Sequence, residues 1–230
     1  MMSEIITDLE QLNSVASMIL PQKNGKLVQE TVIKLKKLIR ENNLDGLSAP
    51  QIGVPYRIIV VKFEGDKLRS FVDPIISKWG NKRTFSTETC PSIPDKKFLM
   101  FRDAEIQVVS LSPLGQEQKA MFYGAGAFKM QQQMEILDGI FPCDYGLEID
   151  DDFLNASEEE QMEIKAMYLE SLDVQAKAFI EEVKNDEEVK PIYDAIDFME
   201  GVQTGKVNIS REAVSKEDSE KIEEKLKAGE

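Results

Sequence analysis

The chain has 230 residues, 42% hydrophobic and 30% charged, which suits one packed domain with an appendage or two small domains. No apolar run approaches the length of a membrane span, and the acidic start MMSEIITDLE lacks the basic and apolar stretches of a secretory signal, so a cytoplasmic location is expected. The net charge of −14 is concentrated in residues 151–230, which hold 23 acidic and 10 basic side chains, and this excludes nucleic acid and anionic membrane surfaces as expected partners.

In chain order, residues 25–42 carry Leu27, Val32, Leu35, Leu38 and Ile39 near helical spacing and predict an amphipathic helix, followed by the turn DGLSAPQIG. The segments RIIVVKF (57–63), SFVDPII (70–76) and AEIQVVSL (104–111) are rich in β-branched and aromatic residues and predict strands. AGAFKMQQQMEIL (125–137) predicts a helix that stops before Gly139. After Asp150 the character changes: Ser157 and Glu160 form a capping-box pattern, and Tyr168, Leu172, Phe179 and Val183 recur along one face of a long helix. Two further helices are expected, one from Pro191 to Gly201 and a polar one over residues 215–227. These elements predict an α+β domain over residues 1–150 and an acidic helical extension over 151–230.

The sequence holds no histidine, the commonest ligand of catalytic zinc and the usual proton shuttle near neutral pH. Its two cysteines, Cys90 and Cys143, are far apart and outside any CxxC spacing, so neither a disulfide framework nor a four-thiolate zinc site is written here.

Three stretches carry a resemblance. GLSAPQIG (46–53), ETCPSIP (88–94) and QQMEILDG (132–139) occur in the order and at the distances of the three motifs of peptide deformylases, with FVDP (71–74) between the first two. The chain resembles that family over roughly residues 5–148, which implies antiparallel strands around a central motif helix. The family's chemistry rests on a cysteine thiolate and two histidines one helical turn apart, which hold a divalent metal, and on a glutamate that moves the proton. By the resemblance Cys90 stands at the thiolate, Gln132 and Ile136 at the two histidines, and Gln133 at the glutamate.

Gln132 is a poor ligand, Ile136 cannot ligate, and Gln133 does not titrate in the accessible range. Pro91 stands where the family has a leucine whose backbone N–H steadies the oxyanion, and it has no N–H to give. Lys129 stands where the resemblance places an apolar residue lining the pocket for the substrate's first side chain. Gln51 matches a substrate-contacting glutamine, which its turn could equally require, and Glu88 with Arg102 matches a structural ion pair. No cofactor is expected.

The function expected from these losses is that of a non-catalytic protein acting in binding or assembly through the C-terminal helices. Tyr168, Leu172, Phe179 and Val183 would meet a protein partner or a second copy. Tailed phages carry deformylase-like genes, so the resemblance also implies virion or tail assembly, in the host cytoplasm or the virion. The alternative is a hydrolase rebuilt around Cys90 and Lys129, where an ammonium would favour the thiolate. A third reading makes the extension an intramolecular cap.

Overall fold

The computed structural model describes residues 4–185, with side chains through Phe179. The chain divides into two compact units, Met1–Ile164 and Lys165–Glu230.

In the first unit, α1 (Pro21–Glu41) buries Val28, Val32, Leu35, Leu38 and Ile39. It begins earlier than the apolar spacing suggested, because Pro21 occupies the first turn and Asn24 (φ −119°, ψ 28°) makes a kink that carries Gly25 into the helix. The turn after it contains the short strand β1 (Gly46–Ser48) and a 3₁₀ turn over Ala49–Ile52, which Gly53 ends at φ 78°. There follow β2 (Ile58–Phe63), β3 (Lys67–Trp79), β4 (Arg83–Cys90), β5 (Ile93–Asp103), β6 (Glu105–Leu111) and β7 (Glu117–Tyr123). Next come α2 (Gly124–Leu137), α3 (Pro142–Tyr145), β8 (Leu147–Ile149), α4 (Asp151–Asn155) and α5 (Glu158–Asn185).

The strands form two sheets, ordered β1-β2-β3-β6-β7 and β4-β5-β8, with every pairing antiparallel. The run IIVV of β2 is buried on both faces: Ile58 and Val60 pack with Val28, Leu35 and Ile39 of α1, while Ile59 and Val61 pack with Met130, Met134 and Leu137 of α2. Successive strand side chains point to opposite faces, so a strand between two helices reads as a continuous apolar run. This is the expected α+β architecture, with the motif helix against antiparallel strands.

Strands β4 and β7 were not legible as strands because RTFSTETC and EQKAMFY mix polar residues into both faces. The expected strand at 70–76 is the middle of the longer β3, whose register shifts between Val72 and Ile75, where Asp73 has φ 47°.

At the start of α5, Glu160 N–H donates to Ser157 Oγ (3.2 Å) and Ser157 N–H to Glu160 Oε2 (2.9 Å), the reciprocal cap anticipated from SEEE. In the second unit, Tyr168 is buried, Leu172 half-buried and Phe179 exposed, while the Val183 side chain lies outside the described ones. The helices expected at 191–201 and 215–227 also lie outside the described residues. Among the described residues no helix is long and apolar enough to cross a membrane.

Candidate active site

The three motifs converge. The 3₁₀ turn places Gln51 under β1, where its Oε1 accepts from Ser48 N–H (2.9 Å) and its Nε2 donates to Ser92 Oγ (3.0 Å). Gln51 Nε2 also lies 3.9 Å from Cys90 Sγ. The side chain is wholly buried and both ends of its amide are used, Oε1 closing the turn of the first motif and Nε2 tying that motif to the second.

Cys90 ends β4 and is buried among Leu12, Ile93, Phe98 and Ile136. Removal from water pushes its thiol up to about 11, so it is neutral near neutral pH. Burial of Cys90 in this apolar cluster disfavours the thiolate that a Cys90-based hydrolase would use, and the Lys129 ammonium expected to activate it donates to Asp45 Oδ1 at 2.7 Å.

Three glutamines of α2 face inward and each has partners. Gln131 exchanges bonds with the Asp103 backbone, donating to O at 2.8 Å and accepting from N–H at 3.2 Å. Gln132 Nε2 donates to Glu88 Oε2 and to Thr89 O, both at 3.1 Å. Gln133 Oε1 accepts from Ser48 Oγ at 2.7 Å, and its Nε2 lies 3.4 Å from Gln132 Oε1. Ile136, one turn beyond Gln132, is completely buried in the apolar cluster that contains Cys90.

Behind this row, Arg102 donates to both oxygens of Glu88 and to Glu135 Oε1 (2.5 Å), and Tyr145 Oη donates to the same Glu135 oxygen (2.6 Å). Burial pushes the Glu88 carboxyl up and Arg102 opposes it, while the two carboxylates hold Arg102 protonated. Sequence reasoning paired Glu88 with Arg102 but missed Ser48, Ser92, Glu135 and Tyr145, which stand outside the ligand pattern; the inward spacing of Glu135 and Gln131 on α2 was the available signal.

A cavity of about 330 Å³ opens over this row, lined by Asp45, Gly46, Thr89, Cys90, Pro91 and Gln132 among others. The donor set does not fit a divalent metal. Of the positions assigned by resemblance only Cys90 can ligate, the amide of Gln132 is held on Glu88 and Thr89, and Ile136 supplies no donor. Among the described residues no three His, Cys, Asp or Glu side chains come together as a metal site.

The family model for polypeptide deformylase matches residues 3–150. A peptide deformylase of Natranaerobius thermophilus is 31% identical over 45% of this chain and 67% of its own length. That of Pelagibacter ubique is 36% identical over 44% of this chain and 60% of its own. In fold, the chain is similar to the class I type b peptide deformylase of Acinetobacter baumannii, with a TM-score of 0.59 and 22% identity over 61% of this chain and 97% of that one.

These relatives correct the expectation of a non-catalytic binding or assembly protein, and with it the phage-assembly role: the proteins matched at 31% and 36% identity are named for an enzymatic activity. The expectation failed because replaced side chains limit what a site can ligate but do not specify another role for the scaffold.

Proposed function

Because this chain belongs to the polypeptide deformylase family over residues 3–150, we propose that it acts on the amino-terminal ends of peptides, the substrate class its relatives' names imply. The observation that carries this reading is the placement of β1 and β4. Each is the terminal strand of its own sheet, with a neighbour on one side only, and Gly46 of β1 and Thr89 and Cys90 of β4 line the same cavity. An extended peptide can add its backbone hydrogen bonds to such edges. Gly46 itself is required by the packing beneath β1, since a Cβ there would lie 3.0 Å from Gln133 Cγ and 3.3 Å from Val60 O.

The same reading bears on the chemistry. Gln132, Gln133 and Ile136 do not supply the metal ligands or the proton acceptor of the family, so no hydrolytic step is routed through a metal here. Pro91 removes a backbone donor from the cavity wall. What the chain's own residues provide is a neutral, hydrogen-bonded floor under the peptide end.

The test is titration of the full chain with formyl-Met-Ala-Ser, followed by backbone amide signals and by formate release, with and without added iron, nickel or zinc. Saturable shifts at Gly46, Thr89 and Cys90 are expected, and added metal should leave formate release unchanged. Absence of peptide binding would overturn the substrate reading. Metal-stimulated turnover would overturn the reading of the side chains.

A further inference from the structure

A second cavity, of about 460 Å³, lies between the β2–β3 turn, β7 and the start of α2. Its charged lining is one-sided: Lys62, Lys67, Arg69 and Lys129 face it against the single acid Glu64. Lys129 is partly neutralised by Asp45 (2.7 Å), and among the described residues Lys62 donates only to the neutral Asn43 Oδ1 (2.9 Å).

Arg69 is the distinctive member. Its guanidinium lies 5.6, 5.2 and 5.4 Å from the ring centroids of Phe63, Phe71 and Phe122. Contact with the ring faces restrains the guanidinium without using its N–H donors. No described residue accepts a hydrogen bond from it or pairs with its charge, and Phe63 and Phe122, stacked at 5.3 Å, give the same cavity an apolar wall.

From this juxtaposition of a pre-oriented, unpaired guanidinium, flanking lysines and an aromatic wall, we propose that the cavity binds a carboxylate carried on an apolar body, with Arg69 as the anchoring residue. An acceptor pair in the plane of the guanidinium would take its fork of donors, and the apolar body would cover Phe63 and Phe122. The carboxylate can come from a free small molecule or from an acidic side chain of a peptide. The site adjoins the peptide cavity through Lys129, which donates to Asp45 of that cavity's lining, while Arg69 and the aromatic wall line the second cavity alone.

The test uses the full chain and three probes followed by backbone amide signals: 4-phenylbutyrate, its neutral amide, and inorganic phosphate. Phenylbutyrate should give saturable shifts at Arg69, Tyr123 and Gly126. The neutral amide and phosphate, each lacking half of the required chemistry, should bind at least about tenfold more weakly. Arg69→Gln should weaken phenylbutyrate about tenfold, and Lys67→Gln, at an exposed position, should weaken it to a smaller degree.

Equal binding of phenylbutyrate and its amide, or unchanged affinity in both variants, would overturn the proposal, as would the lack of any saturable shift. Competition identifies the source. Displacement of phenylbutyrate by Glu-Ala-Ser but not by Gln-Ala-Ser supports a peptide side chain, whereas displacement by neither supports a free carboxylate.

Discussion

Arg102 grips Glu88 with two parallel bonds, Nε to Oε1 and Nη2 to Oε2, each 2.8 Å, and both side chains are buried. The pair joins β5 to the end of β4 and thereby fixes the strand from which Cys90 and Pro91 enter the cavity. Gln132 donates to the same Oε2, so the ion pair also sets the orientation of the amide at the cavity floor.

Arg102→Met should therefore be severely destabilising, by about 3–5 kcal/mol, because it leaves the buried Glu88 and the half-buried Glu135 without their cation. Urea unfolding of the variant and parent measures this. A loss below about 1 kcal/mol would show that the pair is not the tie described.

Cys90 should resist alkylation near neutral pH while the exposed Cys143 reacts first, which mass mapping after brief iodoacetamide treatment can establish. The same burial predicts a pH dependence of stability. Folding favours the neutral thiol, so this contribution is fully present below the ordinary value of 9.0 and is lost as the pH rises towards about 11. In Cys90→Ala the part of the alkaline decline belonging to this thiol should disappear. Rapid modification of Cys90 at neutral pH would contradict its place in the apolar cluster.

The purified chain should carry no stoichiometric metal. The triple variant Gln132→His, Gln133→Glu, Ile136→His should gain one, since Cys90 and two imidazoles one turn apart then offer three ligands. Its deformylation should remain low, because a missing oxyanion donor costs on the order of 10²–10³ in rate and Pro91 still lacks an N–H. Elemental analysis and formate release distinguish these two effects. A parent protein that purifies with one metal per chain refutes the assignment of the ligand positions.

Gly139 ends the motif helix at φ 74°, and a Cβ there would lie 2.6 Å from the backbone C and O of Asn13. Gly139→Ala combines left-handed strain with a clash against backbone that cannot swing aside, and should cost about 2–5 kcal/mol. Thermal unfolding of the variant is the measurement. A melting temperature within a degree or two of the parent would mean that the contact with Asn13 is loose.

Much of the first unit was legible because its signals are local. The helical spacing of Val32, Leu35 and Ile39 locates α1, the IIVV run marks a strand covered on both sides, and Ser157 with Glu160 caps α5. The motif spacing also brought Gln51, Cys90, Gln132 and Ile136 to one place in the fold, as the convergence around the cavity shows.

What the sequence determined by itself was chemical identity: no imidazole anywhere, an amide and an isoleucine at the ligand positions, and a proline without a donor after Cys90. Those facts need no coordinates, because a side chain that lacks a donor lacks it in every conformation. Only the tertiary structure decided where those side chains spend their hydrogen bonds. Gln51 reaches Ser92, Gln133 reaches Ser48 and Gln132 reaches Glu88, across 41, 85 and 44 residues of chain. Such partners depend on how β1, β4 and α2 pack together, and no periodicity within a single segment encodes them. The same holds for Arg69, which is an ordinary strand arginine in the sequence and becomes a guanidinium placed against three rings only when β2, β3 and β7 bring Phe63, Phe71 and Phe122 together.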